Sequence, residues 1–88
     1  LRIQAMLAIN LDEYSEAESF YRFASKIAPT NDLKINNLIS AIRCKIKLKE
    51  YTLAQRETSI LLKDKNITSN NKNIIEEINT ELEYYLHD

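Results

Sequence analysis

Few residues in this sequence could carry out chemistry. The 88 residues contain one histidine, His87, one cysteine, Cys44, and no glycine. A general base must be held in a fixed site, and His87 is next to the last residue of the sequence. A lone helical cysteine is typically a small buried hydrophobe, and a phosphate-binding loop needs glycine. We therefore predict a chain that is not an enzyme, with no catalytic residue, no metal site and no cofactor.

Charged residues make up 28% of the sequence, and the formal net charge is −1. Such a balance predicts no clustered basic surface, so we expect neither nucleic acid nor an anionic membrane as a partner. Paired carboxylates can act as acids and bases or bind cations, but near helix N-termini and on helix surfaces they are usually solvated. We expect the solvated role for the four pairs, which are Asp12/Glu13, Glu16/Glu18, Glu76/Glu77 and Glu81/Glu83.

An all-α fold is predicted, because antiparallel sheets depend on glycine-containing turns and the sequence has no glycine and only one proline. Apolar residues recur every three or four positions, which predicts five helices. No apolar run is long enough to cross a bilayer, so membrane insertion is not expected. The expected helices cover residues 1–11, the stretch from Ser15 to just before Pro29, a third through Ile35 to Ile46 or Leu48, a fourth from Thr52 to Leu62, and residues 72–87. Asn31 or Asp32 is the expected cap of the third helix, and the Asn-rich segment 63–73 is the expected longest loop.

Two of these helices carry capping-box signatures at their expected starts. Ser15 precedes Glu18 by three residues, and Thr52 precedes Gln55 by three residues. In such a box the Ser or Thr hydroxyl accepts from a free backbone N–H of the first helical turn. The Glu or Gln side chain accepts in return from the backbone N–H of the Ser or Thr. Pro29 disfavours helical geometry in the preceding residue, so it should end the second helix.

An internal repeat relates the two halves of the sequence. The segment 11–17 (LDEYSEA) aligns with 48–54 (LKEYTLA), which starts 37 residues later and shares its Leu, Glu, Tyr and Ala. A period of this size with two helices per unit is typical of stacked helical hairpins.

The spacing of Ala17, Tyr21, Ala24 and Pro29 resembles the second helix of a tetratricopeptide repeat. Ala5 and Tyr14 stand where that family places a small residue in the first helix and an aromatic residue before the second. The second unit is more divergent. Tyr51 and Ala54 fit the family pattern, whereas Thr58, Leu61 and Asn66 stand where the family places an aromatic residue, a small residue and a proline. Divergent repeats of this kind also look similar to bacterial multi-repeat proteins.

The resemblance implies a right-handed superhelix of hairpins. Residues 1–30 would form one unit, 31–66 a second, and 67–88 a loop with a capping helix or the first helix of a third unit. The sequence begins at Leu1 rather than methionine, so we expect a longer array.

Members of this family typically hold a partner segment in a concave groove lined by the first helix of each hairpin. On this chain the implied groove residues are Arg2, Met6, Ile9 and Asn10, some of Asn36, Ile39, Ser40, Arg43 and Lys47, and Asn73 with Glu77. The register of 35–47 against the repeat is open by three positions. Met6 and Ser40 depart from the asparagines that family members use to clamp a terminal carboxylate, which disfavours that specialised version.

Three functions remain open from the sequence. The favoured one is a non-catalytic scaffold that binds another protein or a peptide segment in the groove. The first alternative is a structural spacer that self-associates through exposed hairpin ends. The second is a regulatory or sensing domain attached to an effector domain. The compartment stays open between the cytoplasm and a bacterial envelope.

Overall fold

The computed structural model describes residues 11–87, with side chains from Glu13 onward. Its four helices are α1 (Leu11–Lys26), α2 (Asn31–Lys47), α3 (Tyr51–Leu62) and α4 (Ser69–Leu86). No strand occurs in this range, so the all-α prediction is confirmed. The predicted first helix and its Arg2, Ala5, Met6, Ile9 and Asn10 lie outside the described residues, and the count of five helices remains a prediction.

The apolar core lies where α2, α3 and α4 meet. Its fully or nearly buried side chains are Ile35, Ile39, Ile42, Ala54, Leu61, Ile75, Ile78 and Leu82. On each helix these residues are three, four or seven positions apart, which aligns them as one stripe per helix. Because α2 contacts each of the other three helices, it is the central element of the described fold.

A second face of α2 packs against α1. Ala41 and Cys44 are buried outside the apolar core, and Lys45, on the same side of α2, reaches Glu18 of α1. Ala41 and Lys45 are one turn apart, so both face α1. The predicted burial of Cys44 is thereby confirmed.

The predicted start of a helix at Ser15 is wrong. Helix α1 runs without a break through Ser15, which lies in its second turn with an exposed side chain. Glu18 does not reach back to cap the helix, because its carboxylate binds Arg22 and Lys45 instead. The predicted stop is confirmed, since α1 ends at Lys26, before Pro29.

The caps of α2 and α3 also differ from the predicted ones. Thr30, rather than Asn31 or Asp32, caps α2, and its hydroxyl accepts from the Leu33 N–H at 3.2 Å. The predicted box at Thr52 is wrong, because α3 already starts at Tyr51 and its N-cap, Glu50, makes no side-chain capping bond.

The Asn-rich segment is more helical than predicted. Thr68 caps α4 by accepting from the Asn71 N–H at 3.2 Å, so the connection spans only residues 63–68. Asn71 is buried, and its amide donates to Asp32 of α2 at 2.8 Å. This hydrogen bond to a distant residue stabilises Asn71 inside the first turn of α4, and the local sequence alone does not indicate it.

A glycine-free Schellman turn joins α2 to α3. The Glu50 N–H donates to the Lys45 carbonyl at 3.0 Å, and the Lys49 N–H donates to the Ile46 carbonyl at 2.9 Å. Lys49 has φ 63, in the left-handed region that glycine usually occupies at this position. A side chain in that region is strained by contact between its Cβ and the backbone.

Lys49→Gly is therefore expected to raise the free energy of unfolding by about 1 kcal/mol, because it relieves this strain. The measurement is the urea midpoint of the two proteins. Lys47→Gly, in the helical last turn of α2, is the matched control and should lower stability by about 0.5–1 kcal/mol. An equal loss in both variants would contradict the assigned backbone geometry.

The two aligned repeat segments do not share a local structure. Residues 11–17 are helical throughout, whereas 48–50 form the Schellman turn and only 51–54 are helical. Tyr14 accordingly lies inside α1, although Tyr51 is the first residue of α3. The two copies of the sequence repeat therefore differ in structure, because the second copy contains a turn before its helix, whereas the first copy is helical at every residue.

Candidate partner-binding groove

An open groove lies between the C-terminal half of α2, the start of α3 and one face of α4. Its volume is about 540 Å³. The lining side chains are Arg43, Ile46, Lys47, Lys49, Tyr51, Ile74, Glu77, Ile78, Glu81 and Tyr85. We call this surface the α2–α4 groove.

The apolar part of the groove is a continuation of the core. Ile46 and Ile74 are partly buried and pack against the core, to which Ile78 belongs. Tyr51 and Tyr85 stack with their ring centroids 4.6 Å apart and an interplanar angle of 12°. The groove therefore has an apolar surface bordered by an aromatic pair.

The two sides of the groove carry opposite charges. Arg43, Lys47 and Lys49 come from α2 and its C-terminal turn, whereas Glu77 and Glu81 come from α4. Within residues 13–87, none of these five enters a salt bridge. The negative charge of Glu81, followed by the hydrogen bond between Glu81 and Tyr85, raises the pKa of Tyr85.

The sequence-predicted groove residues are only partly brought together. Arg43, Lys47 and Glu77 line the α2–α4 groove. Asn36 is exposed and Ser40 half-buried on the same strip of α2, but neither lines it. The remaining two described positions are Asn73, which is exposed, and Ile39, which is buried in the core and cannot contact a partner.

The predicted framework residues have mixed environments. Ala54 is fully buried in the core. Tyr14, Ala17, Tyr21, Ala24 and Tyr51 are half-buried, and Pro29 is exposed. Thr58, which departs from the repeat pattern, is fully buried and donates to the Gln55 carbonyl at 2.8 Å.

A charged cluster that sequence reasoning missed joins α1 to α2 and α3. Arg22 donates to both carboxylate oxygens of Glu57 at 2.6 and 2.7 Å, and its Nε donates to Glu18 at 2.8 Å. Lys45 lies 3.1 Å from Glu18 and 2.9 Å from Glu50. Only the four-residue spacing of Glu18 and Arg22 gave a sequence signal for it.

The cluster corrects the expectation that Glu18 is solvated. Burial acts to raise the pKa of Glu18, but the hydrogen bonds and charges of Arg22 and Lys45 outweigh it, and the net pKa is lowered. The hydrogen bond to Glu50 is the main cause that raises the pKa of Lys45. Burial, followed by the charge of Glu18, raises the pKa of the Cys44 thiol, which disfavours its thiolate as a nucleophile.

Stability should therefore fall in acid as Glu18 gains a proton. The contribution of Glu18 to the free energy of unfolding is fully present above pH 4.5, the ordinary pKa of glutamate. It is lost as the pH falls through the lower pKa that Glu18 has in the folded protein. Urea unfolding followed from pH 7 downward is expected to show a steeper loss below 4.5 in the wild type than in Glu18→Gln. Parallel curves for the two proteins would show that Glu18 is not held as a charged group.

Other site types are not indicated. No cluster of His, Cys, Asp or Glu within the described part of the chain could hold a metal ion. None of the described helices is long and apolar enough to cross a membrane. Comparisons with protein-family models, curated proteins and solved structures find no match to this chain.

Proposed function

We propose that this chain is a non-catalytic protein-interaction module of tetratricopeptide type that holds a partner segment in the α2–α4 groove. The observation that carries the proposal is an apolar groove surface between charges of opposite sign that form no salt bridge within residues 13–87. The packing of α1 on α2, α2 on α3 and α3 on α4, with α4 also contacting α2, is compatible with the stacked hairpins that the repeat spacing predicts.

The groove favours a partner with an apolar anchor and charges of both signs. The anchor would bury against Ile46, Ile74 and Ile78, where removing apolar surface from water provides affinity. An acidic side chain of the partner would face Arg43, and a basic one would face Glu77. Complementary charges of this kind select the partner and its direction in the groove more than they add affinity.

A random-peptide display library selected against the 88-residue chain tests the proposal. Selected peptides are expected to combine an acidic residue, an apolar or aromatic anchor and a basic residue. Their affinity should fall by at least about tenfold in Arg43→Glu and in Glu77→Lys, because each substitution places like charges together.

Two matched charge reversals provide the control. Arg56 on α3 and Glu83 on α4 are exposed and do not line the groove. Arg56→Glu and Glu83→Lys should change the affinity by less than about threefold, since surface charge pairs contribute little. Equal losses in groove and control variants would reject the α2–α4 groove as the binding site.

A further inference from the structure

Helix α1 and the turn that follows it expose an apolar stripe on the side that faces away from α2. Phe20 and Phe23 of α1 are 55% and 61% exposed, and Ile27, the first residue after the helix, is 66% exposed. The Ile27 N–H still donates to the Phe23 carbonyl at 3.3 Å, so Ile27 continues the path of the helix. The buried Glu18 and Ser25 lie on the opposite side of the helix. The α2-facing side of α1 is instead occupied by charged and small residues, Glu18 and Ser25 among them.

The spacing of the stripe is that of a helix–helix seam. Glu16, Phe20, Phe23 and Ile27 follow one another at intervals of four, three and four residues. This alternation is the a/d spacing of a two-helix interface, with three apolar positions and the charged Glu16 at the N-terminal end. A helix is therefore the element that fits the stripe.

The charges at the two ends of the stripe make it self-complementary. Glu16, at the N-terminal end, and Lys26, at the C-terminal end, are exposed and form no salt bridge with any described residue. In a two-fold pair of antiparallel α1 helices centred between Phe20 and Phe23, Glu16 of each copy lies beside Lys26 of the other. The same surface then serves on both copies, as a two-fold interface requires.

We infer that the chain self-associates through α1, with a second copy packed antiparallel along Glu16, Phe20, Phe23 and Ile27. This contact is independent of the α2–α4 groove, which is lined by none of the stripe residues. Its small area implies a reversible dimer rather than an obligate one.

Sedimentation equilibrium over a range of concentrations tests the inference. The wild-type chain is expected to show a concentration-dependent shift from monomer to dimer. Phe23→Glu should weaken the dimer by at least about tenfold, because it places a charge at the centre of the seam. The control is Ile60→Glu on α3, since Ile60 is equally exposed, at 61%, and lies outside the stripe. Dimerisation should persist in this control, and circular dichroism should show helix content retained in both variants.

Charge reversal tests the antiparallel arrangement itself. Glu16→Lys and Lys26→Glu should each weaken the dimer by about three- to tenfold, because each places two like-charged pairs at the interface. An equal mixture of the two variants should form a heterodimer of near wild-type affinity, since both of its contacts join opposite charges. A wild-type chain that stays monomeric, or a mixture no tighter than its components, would overturn the inference.

Discussion

Ile75→Ala is expected to lower the free energy of unfolding by about 2–5 kcal/mol, the largest effect of any single change considered. Ile75 is fully buried in the middle of α4 and belongs to the core shared by α2, α3 and α4. The change removes apolar atoms and leaves a cavity between three helices. A loss of this size is a large fraction of the stability of a domain with 88 residues.

The shape of the unfolding curve is as informative as its midpoint. If α4 is part of one core, Ile75→Ala should shift a single cooperative transition followed by circular dichroism. Ile60→Ala removes the same atoms from an exposed site and should cost less than about 0.5 kcal/mol. A separate early transition of α4 in the variant would instead indicate a terminal helix that is only loosely attached.

Arg22→Ala should cost about 2–3 kcal/mol, because its guanidinium joins α1 to Glu57 of α3 and also pairs with Glu18 within α1. Its loss leaves Glu57 without its bidentate partner and Glu18 with Lys45 alone. Breaking a buried ion pair costs about 3–5 kcal/mol, and we expect less here because the Arg22 side chain is 31% exposed. Urea unfolding measures the loss.

Two further variants separate the ion pair from a general effect of truncation. Arg56→Ala removes an exposed arginine that forms no salt bridge within residues 13–87, and it should change stability by less than about 0.5 kcal/mol. Arg22→Lys keeps the charge but cannot form the bidentate contact, so an intermediate loss is expected. If all three variants were equally stable, the cluster would contribute nothing to the packing of α1.

Local signals in the sequence predicted the helices but not their exact caps. The absence of glycine and the spacing of Ile35, Ile39 and Ile42 were enough for an all-α fold with a buried stripe on α2. The Ser15 box failed because Glu18 finds stronger partners in Arg22 and Lys45. A capping signature of four residues contains no information on a lysine 27 positions away.

Only part of the groove implied by the repeat resemblance coincides with the observed one. Arg43, Lys47 and Glu77 are among the residues that the resemblance implies, and they line the α2–α4 groove, whereas Asn36, Ser40 and Asn73 do not. The contributions of Lys49 and Tyr85 depend on a left-handed turn and on the stacking of two distant tyrosines. A left-handed turn is usually signalled by glycine, which this sequence lacks. The stacking of two tyrosines that are 34 residues apart has no local sequence signal.

The groove as a binding surface is tested most directly by amide chemical shifts of the ¹⁵N-labelled chain, recorded while a display-selected peptide is added. We predict that the largest changes cluster on the groove, at Arg43, Lys47, Tyr51, Glu77 and Tyr85, and that Arg43→Glu needs at least about tenfold more peptide to produce them. Changes centred instead on the α1 stripe, or spread evenly over all four helices, would contradict the proposed function.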